Sequence, residues 1–272
     1  MKTFLFVMSL ILLTGCQIEA EYWIPDYPTE QYGLEIDRSA AHDLGQSLEY
    51  YENLSLLPKR IASAPTAFLQ DGGSDAAIQP LMELVNLAGS AFFNWYDWEP
   101  VECTLVLSNH SGYIEENYWK QQGEITGSWE AIDCADSHYD PVFFHANMNT
   151  QVDWVIDEYS PGFSTLYGMS TFDMLYESRH GSIRLMQSHI ETEQMFWGDI
   201  QSHFDLLFNI ENDDQYGLLS IETIEPLVFE PGATLATSGW IQFETDDHRL
   251  DVYILHDVTR LVLDGHWIAD YR

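Results

Sequence analysis

The chain has 272 residues, with 44 acidic against 10 basic side chains and a formal charge of −34. Such a surface repels nucleic acid and anionic lipid, so neither is expected as a partner. An apolar fraction of 46% excludes wholesale disorder and permits a sizeable core. The acids are spread along the chain rather than gathered in one run. That distribution favours adaptation to salty surroundings, where screening shrinks self-repulsion, over divalent-cation binding or a basic partner.

The N-terminus opens with Lys2, followed by an apolar run from Phe4 to Leu13. The run is too short for a membrane span, which needs ~20 residues, and has the layout of a removed export signal. It ends on Leu13-Thr14-Gly15-Cys16. The whole segment resembles a bacterial lipoprotein signal. That resemblance implies cleavage of residues 1–15, lipidation of Cys16 and, because Gln17 rather than Asp follows, sorting to the outer membrane. Two or more acyl chains anchor a protein stably, so the membrane is the first expected partner.

Residues 16–37 carry Trp23, Pro25, Tyr27 and Pro28 among acids with no helical or strand period, which reads as a tether. From Ser39 to about Leu54, Ala41, Leu44, Leu48 and Tyr51 repeat at helical spacing. Asp37 or Ser39 supplies a cap, and Pro58 ends the helix. A loop with Pro65 and Gly72-Gly73 leads to a second helix from about Asp75 to Trp95, with an apolar stripe of Ile78, Leu81, Leu84, Val85, Ala88, Phe92 and Trp95. Such a stripe belongs to a core rather than to a cofactor.

From about residue 101 the period changes to two. Ile125, Gly127, Trp129 and Ala131 alternate with polar residues. Phe196, Ile200, Phe204, Leu206, Phe208 and Ile210 share one parity, as one long strand or a strand bent at Gly198. Leu235, Thr237, Gly239, Ile241 and Phe243 alternate likewise. Turn signals include His180-Gly181, Asn212-Asp213-Asp214, Pro231-Gly232 and Asp264-Gly265, the last a two-residue hairpin signal. Ten to twelve strands joined by short turns make an antiparallel meander. The expected fold is mainly β: a meander forming a sandwich or a curved half-barrel sheet, preceded by two N-terminal helices. Residues 38–272 form one domain, helical over 38–98 and β over 99–272.

After lipidation two cysteines remain, Cys103 and Cys134. An even count in an oxidising compartment points to a disulfide rather than two buried thiols. Closing a loop of about 30 residues would add roughly 3–4 kcal/mol in the chain-entropy model. Together with the stretch Gly232-Ala233-Thr234, Ser238-Gly239-Trp240-Ile241, Val252-Tyr253-Ile254-Leu255 and Leu263-Asp264-Gly265-His266, this layout resembles a group of uncharacterised acidic outer-membrane lipoproteins. The resemblance is one of alternation and turns. It supports the fold class and carries no catalytic residues.

Signatures for acyl transfer, phosphate cradling, zinc hydrolysis and dinucleotide binding are absent. No catalytic residue, metal ligand or cofactor is assigned. A near-repeat, Gln187-Ser188-His189-Ile190 and Gln201-Ser202-His203-Phe204, could bring two imidazoles to a metal with Asp199 or Asp205, although His203 lies on a polar parity. Acids cluster at Asp133/Asp136/Asp140, Asn212-Asp213-Asp214 and Glu244/Asp246/Asp247. Calcium would want such oxygens, but turns also favour them for backbone reasons. Trp119, Trp197 and Trp240 share parities with polar residues, as aromatics that stack on sugars or close an apolar groove do. The expectation is a non-catalytic, lipid-anchored envelope protein that binds a glycan, an apolar molecule or a protein. Its alternatives are a hydrolase using acidic residues on envelope polymer, and a calcium-stabilised surface protein.

Overall fold

The computed structural model describes residues 32–66, 88–89, 91–93, 104–117, 120–132, 143–157, 162–178, 180–196, 198–212 and 214–271. A short strand β1 (Tyr32–Gly33) precedes three consecutive helical segments, α1 (Arg38–Gln46), α2 (Leu48–Ser55) and α3 (Leu57–Ser63). Eleven strands follow: β2 (Thr104–Glu116), β3 (Lys120–Ile132), β4 (Phe143–Asp157), β5 (Phe163–Ser178), β6 (Gly181–Met195), β7 (Ile200–Asn212), β8 (Gln215–Phe229), β9 (Ser238–Glu244), β10 (Arg249–Leu255), β11 (Val258–Leu263) and β12 (His266–Tyr271). β2 to β12 pair in chain order as one antiparallel meander, and β1 adds to β8 in parallel. The protein is mainly β, as its two-residue rhythm predicts. Because the sheet is single, the sandwich alternative falls away.

The helix begins where Asp37 accepts a hydrogen bond from the Ala40 N–H at 2.8 Å, which satisfies one of the orphan donors of the first turn. The first predicted helix runs further than expected. Pro58 does not end it but sits in the first turn of α3, where a missing N–H costs nothing. The interruption at Leu56 frees the Ser55 carbonyl, which accepts from Thr192 Oγ1 at 2.6 Å. The second predicted helix falls largely outside the described residues; Ala88, Gly89, Ala91 and Phe92 within it are helical.

Residues 38–63 lie across the strands. α1 packs on β11, α2 on β6 and β7, and α3 on β4 and β5. At ~1.5 Å per residue a 26-residue helical stretch reaches ~39 Å, and the seven strand intervals from β4 to β11 span ~34 Å. One helical rod therefore suffices to cover the buried face of eight strands. Its inward residues are Ala40, Ala41, Leu44, Tyr51, Leu54, Leu57, Ile61 and Ala62. Beneath it the sheet offers small or hydroxylated residues: Thr150, Gly168, Ser170, Thr192 and Ser202 are all buried. Gly168 is required by contact, since a Cβ there would lie 2.2 Å from Pro58 Cβ. Larger apolar side chains fill the flanks, with Tyr51 stacked on Phe204 at 5.6 Å and edge-on to Phe243.

Glu52 is buried in this interface and accepts the Ala236 N–H at 3.0 Å, which ties the β8–β9 connection to the helix. The Tyr51 hydroxyl has no partner among the described residues, and full burial pushes its pKa well above the ordinary value. The phenol therefore acts as an apolar ring.

The alternation from Phe196 to Ile210 is not one strand. β6 ends at Met195 and β7 begins at Ile200, with Phe196 in a turn between them. Asp264-Gly265 forms the predicted tight turn, with φ of 49° and 77° and Leu263 opposite His266, the primed geometry that matches strand twist.

Candidate functional site

With the buried face occupied by the chain's own helix, the outer face is what the sheet offers to other molecules. Antiparallel register aligns residues of successive strands into rows across it. Tyr113 lies opposite Glu124, Glu124 opposite Asp153, Asp153 opposite Tyr167 and Tyr167 opposite Glu193. Two residues along the strands a second row runs Gln122, Val155, Thr165 and Met195. Between them lie Gly123, Trp154, Leu166 and Gln194, also in direct register. Trp154, Leu166 and Gln194 are buried on the core side, so they give the outer face only their backbone. The result is a trench of about 330 Å³ with side-chain walls and a backbone floor.

The trench crosses β2 to β6. Four strand intervals make it ~19 Å long, and two residues of rise separate its walls by ~7 Å. Gly123 shapes its far side, because a Cβ there would lie 2.6 Å from the Trp154 ring. That ring lies against the core side of β3, and its Nε1–H has no partner among the described residues.

The walls are aromatic, apolar and acidic together. Tyr113, Tyr167 and Met195 are exposed. Loss of water first, then the charge and hydrogen bond of Glu191 and the charges of Asp153 and Glu193, push the Tyr167 hydroxyl above its ordinary value. It remains a neutral donor. Among the described residues Asp153 accepts only a long 3.3 Å bond, from the Gln151 amide. Among the described residues no lysine or arginine forms an ion pair with Glu124, Asp153, Glu191 or Glu193.

The trench ends at the β6–β7 turn. Phe196 adopts φ 52°, a left-handed conformation unusual for a bulky side chain, and is 74% exposed. The turn is held by Gly198 N–H to the Met195 carbonyl at 3.0 Å and by the Gln194 amide to the Gly198 carbonyl at 2.8 Å.

The histidines of the near-repeat do lie on adjacent strands, His189 opposite Asp205 and His203 opposite Glu191. Among the described residues, however, no three histidines, cysteines or carboxylates converge to hold a metal ion. Asn212 serves the β7–β8 turn: its side-chain oxygen accepts from the Asp214 and Gln215 N–H groups at 2.9 and 2.7 Å. Glu244 accepts from the Gln242 amide at 2.9 Å. Trp240 is half-buried and donates to Asp251 at 3.0 Å.

Cys16, Cys103, Cys134, Trp119, Trp197 and Asp133/Asp136/Asp140 lie outside the described residues. Thr104 and Ile132, the described neighbours of the two later cysteines, are direct cross-strand partners. No helix among the described residues is long and apolar enough to cross a membrane.

The trench residues escaped the sequence reading. Tyr113, Asp153, Tyr167, Glu193 and Met195 each show only an outward parity in their own strand. No family model matches the chain, and no curated protein or solved structure is found to be similar.

Proposed function

We propose that this protein is a lipid-tethered envelope protein that binds, without catalysis, a molecule laid in the outer trench of its sheet. One observation carries the reading. The core face of β4 to β11 is covered by the chain's own helix, whereas the outer face keeps an open trench walled by exposed Tyr113, Tyr167 and Met195. Exposed aromatics beside hydrogen-bonding side chains are the usual makings of a recognition surface. The tether and the outer-membrane location are supported by the resemblance of Leu13-Thr14-Gly15-Cys16, followed by Gln17, to a lipoprotein signal. A Cys103–Cys134 bridge would clamp the open end of the β2–β3 hairpin.

Two measurements test this. Labelled palmitate is expected in the membrane fraction of the wild type and to be lost in Cys16→Ala. Binding to an oligosaccharide, peptide and lipid panel is expected to fall in the Tyr113→Ala/Tyr167→Ala double variant. A panel in which every ligand ignores that variant overturns the reading.

A hydrolase is the competing reading. It is favoured by Asp153 and Glu193 standing in one row with β5 between them, a backbone separation of ~10 Å that brings the carboxyl groups near the range used by paired acids on sugars. Polymer turnover lost in Asp153→Asn would establish it.

A further inference from the structure

We infer that the ligand of the trench is an extended basic peptide whose cationic side chains alternate with apolar ones; the inference rests on the binding reading above. Charge supplies the first argument. Asp153 and Glu193 stand in the wall, with Glu124 and Glu191 beside them, and no described basic side chain pairs with any of the four. Glu124 and Asp153 are direct cross-strand partners, and like charges so placed repel. A bound cation relieves that repulsion, whereas an anionic ligand deepens it. Tyr167 adds a ring face between Asp153 and Glu193, a surface that attracts ammonium and guanidinium groups.

Shape and apolar lining supply the second. A polyamine or metal ion would leave Val155 and Met195 unused. The opposite wall, with Val155, Thr165 and Met195, offers apolar contact ~7 Å from the acidic one. An extended backbone puts successive side chains on opposite sides, so one laid along the floor meets acids with one set and apolar surface with the other. The ~19 Å length takes five or six residues at ~3.3–3.6 Å each. Phe196, exposed and held in a left-handed conformation next to Met195, extends the apolar side at one end. Backbone outliers of this kind persist where the surroundings impose them and cluster at ligand clamps.

The test uses the full chain purified in detergent, with fluorescent acetyl-(Lys-Leu)3-amide as probe and anisotropy as readout. Binding is expected to fall at least tenfold in Asp153→Asn/Glu193→Gln. It is expected to change less than twofold in Asp246→Asn/Asp247→Asn, which removes the same charge from an exposed turn away from the trench. The second pair separates site binding from attraction to a surface of charge −34. Equal losses in the two pairs overturn the inference. So does displacement by cellohexaose or zwitterionic vesicles in preference to unlabelled peptide, an outcome that leaves a binding trench intact with a different ligand. If no probe responds to Tyr113→Ala/Tyr167→Ala, the trench reading falls as well.

Discussion

The two ends of the strand row use their acids in opposite ways. On the outer face of β9 to β12, acids are laced to donors. Asp251 accepts from Trp240 Nε1 and from Arg249 Nε and Nη2, all within 3.0 Å, while Arg249 lies 5.7 Å over the Trp240 ring. Asp270 holds Arg260 and Trp267. In the trench row on β3 to β6, Glu124, Asp153 and Glu193 instead stand opposite tyrosines and one another. In one region acids are cross-strand fasteners, and in the other they are a charged wall. Negative composition therefore has no single structural meaning, and the distinction lies in whether an arginine or indole N–H is within reach.

The seating of the helix gives the largest test of this division. Over the trench half, Gly168 meets the rigid ring of Pro58, whereas at the other end Gly45 would place a Cβ 2.5 Å from the flexible tip of Leu261. Gly168→Val is expected to destabilise by about 3 kcal/mol and Gly45→Ala by about 1 kcal/mol, a modest overpacking cost, in denaturant titrations. Asp251→Ala comes next: it strands a half-buried indole N–H and a guanidinium, at a cost of about 2–3 kcal/mol. Tyr51→Phe removes an unpaired buried hydroxyl and is expected to raise stability by about 1 kcal/mol.

Smaller effects separate the halves further. Asp153→Asn or Glu193→Gln is expected to leave stability unchanged or raise it by about 0.5 kcal/mol, with the gain shrinking as salt is added. A loss above 1 kcal/mol from either would place these acids among the fasteners. The smallest effect is in pH. The Arg249 backbone N–H, then His248, hold the Asp264 carboxyl below its ordinary 3.8. Stability from this depressed group is complete above 3.8 and is lost as pH falls through the lower folded value. The stability difference between the wild type and Asp264→Asn is therefore expected to narrow below about pH 3.8, read from melting curves.

Much of the fold is legible in local pattern. The period of two gives the strands, Asp37 the helix start and Asp264-Gly265 the last hairpin. Two misreadings have physical causes. Pro58 looks like a stop because a proline inside a helix breaks it, yet at the first turn of a new segment it is harmless. The stretch after Met195 looks like strand because β6 ends at an odd-numbered residue and β7 begins at an even-numbered one, so the apolar residues of the two strands stay in phase. The trench was illegible for a different reason. It arises from Tyr113, Asp153, Tyr167 and Glu193 on four strands, and register between strands, not alternation within one, brings them into a row.

β1 joins β8 at Gln215 and Tyr216, level with Ser182 on β6, and Glu193 lies eleven residues further along that strand. β1 thus lies ~36 Å along the strands from Glu193 in the acidic wall. The lipid tether proposed above, joined at the β1 end, would hold the acidic wall away from the membrane. That wall would then sample the space beyond its own bilayer rather than the bilayer itself.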